Sequence, residues 1–390
     1  MDSQLRLRAV GARQLLDDEG CGASKSGEAN MRWKQYAKDA VLIVFVPLFA
    51  IFIVALATHI VLLLYFSLHT RSFLVELSDL EREAYSHMSD EDVEDLLQTT
   101  WGKELAFWEY EPWLGFREKG RTSKFVNVNE FGIRSNSREQ VEMTSLDGAV
   151  WFFGGSTTFG YGVSDSETIP AALEKRLNRP VINFGRGFYY SGQENLLFLR
   201  LLQSGYRPGL AIFLDGSNET CSINAYQDST HAFFERAQIH YRWSVSEVFR
   251  PLLFVLEEVA SFFDSREVSG KNPLSCESYG RVVSLREVAR ANLGTREQIC
   301  SEYQVDCTTF VLGFSGVHGK YEDVDRLSQA SRESLRKKFV HLEPVWEEFG
   351  ATFLTDTLDD FPEHAFVDES HYSARANDRF SRAIHDSLRN

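Results

Sequence analysis

The sequence lacks an excess of positive charge. Its 390 residues carry 41 Lys and Arg against 56 Asp and Glu, a formal net charge of −15. That sign excludes a general nucleic-acid binder, whose affinity comes largely from cations neutralising phosphates. Cysteines number five and form no C-x-x-C pair or Cys/His metal spacing, so a thiolate zinc site is not expected. Internal repeats and low-complexity tracts are missing, and 43% hydrophobic with 25% charged residues excludes wholesale disorder. Phosphate-binding loops are missing too. GGSTTFG (154–160) has no Lys-Ser or Lys-Thr of a Walker loop, and Gly185-x-Gly187 meets Tyr190 where a dinucleotide fingerprint has its third glycine. No nucleotide, metal or other cofactor is therefore expected.

Long hydrophobic runs are scarce, with one exception. Val41 to Phe66 reads VLIVFVPLFAIFIVALATHIVLLLYF, without an Asp, Glu, Lys or Arg. As a helix it spans about 39 Å, enough to cross a hydrocarbon core of ~30 Å with some tilt. A buried core helix would be shorter and keep a polar stripe. A cleaved signal peptide would start earlier and end at small residues. Arg32, Lys34 and Lys38 crowd the preceding flank, while Arg71 is the near cation beyond. The positive-inside rule then places residues 1–39 in the cytoplasm and the chain after the run outside.

The expected organisation is a flexible cytoplasmic tail (1–39), a transmembrane helix in the inner membrane (40–66), an acidic juxtamembrane helical stalk (67–104) and one periplasmic domain (105–390). Residues 1–39 hold seven basic and six acidic side chains, so the negative charge lies outside and disfavours docking onto anionic lipid. Cys221, Cys276, Cys300 and Cys307 fall in the oxidising compartment, where at least one disulfide is expected.

Three of the seven Trp lie in WGKELAFWEYEPWLGFR (101–117). That segment reads either as core packing or as a carbohydrate-stacking platform. From Ala149 short apolar runs alternate with amphipathic ones. Residues 149–153, 181–184, 210–214, 308–314 and 351–355 read as buried strands, and 168–178, 193–202, 327–349 and 373–389 show helical periodicity. Such alternation predicts an α/β fold with a parallel sheet covered on both faces. Residues 221–300 interrupt the rhythm and read as an insertion over one edge.

In such a sheet, chemistry belongs on the loops leaving the carboxyl ends of strands. A serine hydroxyl needs a neighbouring base to become a nucleophile, and the base needs an acid to fix its tautomer. Ser156, His371 and Asp368 supply these roles from post-strand loops. Asn218, the Ser156 amide and an amide of the 185–188 loop are placed to face a developing oxyanion. Each residue has a bland reading beside the functional one. A Ser-Thr-Thr run after a strand is commonly a helix cap, and Asn in D-G-x-N is commonly a turn former. His318 is a rival base without an acid at short spacing, and His385 reads as surface.

Four blocks in order, FFGGSTTFGYG, VINFGRGFYYSGQ, LDGSNE and FVDESHYS, resemble the signature blocks of the SGNH (GDSL-type) hydrolases. YEPWLGFR and VNVNEFGIR resemble the lead-in of membrane-anchored or secreted members, so the resemblance covers about residues 105–390. It implies a three-layer α/β/α sandwich and ester hydrolysis or acyl transfer through an acyl-serine. Carried over by position, Ser156 is the nucleophile, Asp368 and His371 complete the triad, and Asn218 donates to the oxyanion. Two positions depart from the pattern. Gly155 stands where many members have Asp, and Phe188 stands where the second block has a donor glycine, leaving Gly187 or Phe188 as the donor. The expected substrate is an ester, in this location an acylated envelope glycan. An O-acyltransferase and a non-catalytic envelope module are the alternatives.

Overall fold

The computed structural model describes residues 45–68, 77–101, 108–216, 218–219, 274–278, 281–313, 329–361 and 364–389, apart from 138 and 369, together with 33, 36 and 39. His318 and residues 221–273 lie outside them. The chain divides into two compact units, one holding the first helix and the other every later element.

From inside the apolar run to two residues past it, α1 (Val46–Leu68) covers 23 residues, and its described side chains, among them Phe49, Phe52 and Val54, are exposed. Taking the described side chains alone, no helical stretch is long and apolar enough to cross a membrane.

The acidic segment forms α2 (Asp79–Ala84) and α3 (Asp90–Trp101). Ser78 and Glu81 close a capping box at the start of α2. In α3, Val93, Leu96 and Leu97 share one face at helical spacing and are buried with Phe159, Tyr161 and Val367. Tyr85, just after α2, donates its hydroxyl to the Gly162 carbonyl at 2.9 Å. The expected stalk is therefore no spacer. Its apolar face needs cover, and the domain supplies it.

A hairpin follows, β1 (Trp108–Glu111) against β2 (Gly115–Glu118). The aromatic segment divides there: Phe116 is buried, Trp108 is half-buried, and Trp113 at the turn is exposed. The sandwich then begins with β3 (Val150–Gly154), α4 (Ser156–Phe159), α5 (Ile169–Leu177), β4 (Val181–Asn183), α6 (Ser191–Gln203) and β5 (Leu210–Asp215). It continues through a hairpin, β6 (Ser275–Ser278) and β7 (Arg281–Ser284), to α7 (Leu285–Tyr303), β8 (Cys307–Val311), α8 (Gln329–Glu348), β9 (Thr352–Phe353) and α9 (Ala374–Ser387).

Five strands form one parallel sheet in the order β4-β3-β5-β8-β9. Side chains alternate across it. Trp151, Phe153, Ala211 and Phe213 pack beneath Phe198 and Leu202 of α6 and Ile299 of α7. Val150, Phe152, Ile212 and Leu214 pack against Ile169 and Leu173 of α5 and Phe380 and Ile384 of α9. Helices thus cover both faces, the three-layer arrangement that the resemblance implies.

The stretch expected as an insertion ends differently. Helix α7 is the crossover from β5 to β8, and its Leu285, Ala289 and Leu293 pack with Phe339, Leu342 and Trp346 of α8. Residues 285–300 therefore belong to the sandwich, because their apolar stripe completes one covering layer. A disulfide joins Cys300 of α7 to Cys307 of β8.

One buried cation organises the turn after α4. Arg134 is 0% exposed and pairs through Nε with Asp165 Oδ1 at 3.0 Å. Its other nitrogens donate to the carbonyls of Phe159 (2.8 Å), Gly160 (2.5 Å) and Val163 (2.6 Å). Asp165 also accepts from the Asn127 amide nitrogen of the side chain at 2.7 Å. Arg134→Met removes the charged donor from Asp165 and from three carbonyls and leaves a buried carboxylate without its cation, so it is expected to destabilise by at least about 3 kcal/mol. Arg134→Lys recovers little, since an ammonium cannot reproduce the planar fork. Denaturant melts of the three proteins check this; equal midpoints refute it.

Candidate active site

The sheet changes direction at β3, whose neighbours are β4 and β5. The crevice at such a switch point, at the carboxyl ends of the strands, is where doubly wound sheets expose functional loops. Ser156 follows β3, the 185–188 loop follows β4, and Asn218 follows β5. Three of the expected site segments therefore leave adjacent strands.

Ser156 is half-buried and is the first residue of α4. The cap position belongs to Gly155, with no side-chain capping bond, so the helix-cap reading of Ser156 does not apply. A Cβ on Gly155 would lie 2.3 Å from Asn218 Nδ2 and 3.2 Å from the Tyr189 carbonyl. A side chain at this position would therefore have to displace the Asn218 amide from its place. Asn218 is held by a bond from Nδ2 to the Tyr189 carbonyl, 3.0 Å, and an amide nitrogen carries a second hydrogen for another acceptor.

Asp368 and His371 meet as the spacing predicts. His371 Nδ1 lies 2.8 and 2.9 Å from the two Asp368 oxygens, and Asp368 Oδ1 also accepts the amides of Ser370 and His371, each at 2.8 Å. A carboxylate only accepts, so Nδ1 carries the proton and Nε2 is the basic nitrogen. Burial by itself raises the Asp368 pKa. The His371 charge and hydrogen bond and the two amides outweigh it and hold the carboxyl below its ordinary value.

Tyr161 connects the two halves. Its amide donates to the Ser156 carbonyl at 3.2 Å, and its ring centroid lies 5.6 Å from that of His371. Tyr161 in turn donates its hydroxyl to Glu118 at 2.7 Å. Glu118 is fully buried and also accepts from Trp108 Nε1 (3.0 Å) and the Gly187 amide (3.3 Å). That last bond separates the two donor candidates of the second block. Gly187 turns its N–H toward Glu118, whereas Phe188 adopts a left-handed conformation, φ 62°. A non-glycine residue there costs roughly 1–2 kcal/mol, and the edge-to-face contact of Phe188 with Trp108, 6.2 Å between centroids, helps to hold it.

No protein-family model matches the sequence, and no curated protein matches it. Solved structures do resemble the fold. They include a G-D-S-L family lipolytic protein from Desulfitobacterium hafniense, at 12% identity and TM-score 0.35 over 62% of this chain and 99% of that one. A carbohydrate acetylesterase family member from Sinorhizobium meliloti gives 13% and 0.31 over 62% and 97%. The acetyl xylan esterase AlAXEase gives 11% and 0.34 over 62% and 99%. Likeness of this degree leaves the functional argument to the site itself.

Beneath the Asn218 loop lies a charge cluster with no expectation from the sequence. Arg296 of α7, 3% exposed, binds both oxygens of Asp215 at 3.0 and 3.1 Å and Glu194 at 3.3 Å. Its guanidinium also stacks 4.0 Å over the Phe213 ring. Glu219 is buried beside them. Burial and then Asp215 repulsion push its pKa up to about 7, against the opposing hydrogen bonds from Ser191. Glu194 is raised for the same two reasons, burial first.

Asp368 makes a pH prediction with a definite sign. Its folded-state pKa lies below the unfolded value of about 3.9, so its contribution is complete above that value and disappears as pH falls through the folded one. The stability gap between the wild-type chain and Asp368→Asn is expected to stay level from neutrality to about pH 4 and to close below it. Denaturant melts from pH 7 to pH 2 test this, and a gap that widens in acid contradicts it.

Proposed function

We propose that the chain is a membrane-anchored serine esterase of the SGNH type, working through an acyl-Ser156 intermediate. The observation that carries the reading is the pairing of the buried His371 with the half-buried Asp368, 2.8 Å apart, beside the Ser156 turn at the switch point of the sheet.

In the proposed reaction Ser156 Oγ attacks the ester carbonyl carbon and passes its proton to His371 Nε2. The imidazolium is stabilised and oriented by Asp368. Negative charge on the carbonyl oxygen is met by the Asn218 amide and the Phe188 and Ser156 N–H groups. Collapse breaks the C–O bond, and the leaving alcohol takes the proton from His371. Water then attacks the acyl-serine with His371 as base, releasing the carboxylic acid and free Ser156. A sugar hydroxyl in place of water gives the acyltransferase outcome. Acylated envelope glycans are the proposed substrate class, on the strength of the proposed location.

A fluorophosphonate probe tests the nucleophile. Wild-type protein is expected to label, Ser156→Ala to lose labelling completely, and His371→Ala to label at least about 100-fold more slowly. No labelling of the folded wild-type chain overturns the reading and favours a non-catalytic envelope module. Product analysis with an acetylated oligosaccharide, with and without an acceptor sugar, separates hydrolysis from transfer.

The proposed anchor is α1, and the domain lies on its periplasmic side. A 23-residue helix reaches about 35 Å, its described side chains are exposed, and the Cys300–Cys307 disulfide suits an oxidising compartment. Full-length protein is expected to stay in the membrane pellet after alkaline extraction, and its domain to be cut by protease added to the periplasmic face. Release into the supernatant refutes the anchor.

A further inference from the structure

Glu219 is the residue after Asn218, and it is 2% exposed. A carboxylate at such a depth is costly unless it is well bonded. Its two oxygens accept from one residue: Oε1 from the Ser191 amide at 2.9 Å and Oε2 from the Ser191 hydroxyl at 2.6 Å. Ser191 is the first residue of α6, where Tyr190 at the cap position supplies no side-chain bond. Glu219 therefore caps α6 from another loop, meeting an N–H left without a partner inside the helix.

The immediate neighbour makes a parallel bond. Asn218 Nδ2 reaches the Tyr189 carbonyl at 3.0 Å. Consecutive residues of the post-β5 loop thus grip Tyr189 and Ser191, directly after Phe188. Both loops bear the proposed oxyanion donors, and the Glu219–Ser191 bonds tie them together. Asn292 of α7 adds a third hold, donating to Ser191 Oγ at 3.1 Å. The charged groups facing Glu219 are Asp215 at the end of β5, Glu194 on α6 and Arg296 on α7. Burying a further carboxylate in that company is unfavourable for stability alone.

We propose that Glu219 is a positioning residue for oxyanion stabilisation: by binding Ser191 from the Asn218 loop, it holds the Asn218 side-chain amide and the Phe188 N–H at a fixed separation. The proposal rests on the serine-esterase reading. Glu219 touches neither substrate nor reacting atoms, so its effect must pass through the donors it holds.

A double-mutant cycle on the full-length chain in detergent, with p-nitrophenyl acetate, tests this. Glu219→Gln keeps the shape and removes the charge. It is expected to lower kcat about tenfold while KM stays within about twofold. Asn218→Ala alone is expected to lower kcat by about 100-fold. In the Asn218→Ala background, Glu219→Gln is expected to cost less than about twofold more, because the donor it positions is gone. Ser191→Ala removes one of the two bonds and leaves the helix intact. It is expected to lower kcat in the same direction by a smaller factor, and it carries the test if Glu219→Gln fails to fold. Fully additive losses, an effect confined to KM, or unchanged kcat in both Glu219→Gln and Ser191→Ala overturns the proposal alone. A wild-type chain without Ser156-dependent turnover overturns the parent reading, and this one with it.

Discussion

A buried guanidinium can be satisfied only by acceptors that the protein itself supplies, and Arg134 imposes that requirement on the turn after Ser156. Its bonds to Asp165 and to the carbonyls of Phe159, Gly160 and Val163 give residues 159–165 one conformation. Tyr161 and Gly162 lie inside that span. Tyr161 therefore meets the His371 ring, and Gly162 meets Tyr85 of the preceding helical segment. The Ser156 turn, the imidazole and the helical segment before the first hairpin all depend on one cation placed where no water satisfies it.

A second buried guanidinium does comparable work under the other side of the crevice. Arg296 binds Asp215, where β5 ends and the Asn218 loop begins, and Glu194, on the first turns of α6. Strand end and helix start are thereby tied to α7, with Glu219 completing the tie through Ser191. Each cation holds one flank of the switch point. Such clusters add little net stability over apolar packing, because desolvation of the charges offsets their attraction. Here each selects the position of a loop that the proposed chemistry needs.

Much of the architecture was legible in the chain. Runs such as VWFF and LAIFL are apolar at every position because a parallel strand is buried on both faces, and all five expected strands appear in one sheet. The Asp368–His371 pair was legible because three residues of separation in a turn bring a carboxylate to an imidazole. Other features carried no local signal. Gly187 and Phe188 were equal candidates by position, and only the long-range bond from Gly187 to Glu118, 69 residues away, distinguishes them. The segment read as a stalk has the acidic surface of a spacer, yet its Val93, Leu96 and Leu97 find cover on residues distant in sequence. The boundary of the expected insertion shifted because α7 follows a break in the strand–helix rhythm, which hid its place in the layer.

The sequence by itself determined periodicity, the order of strands and helices, the long uncharged run near the start, and the identity of Ser156, Asn218, Asp368 and His371 as candidate groups. These depend on neighbours within a few residues, so a linear reading reaches them. Tertiary structure decided that the Gly187 N–H meets Glu118, what a side chain at position 155 would meet, and how Arg134, Arg296, Glu118 and Glu219 are paired. Those outcomes depend on burial and on partners tens of residues apart. A charged side chain written in the sequence looks like solvated surface until the fold removes the water around it.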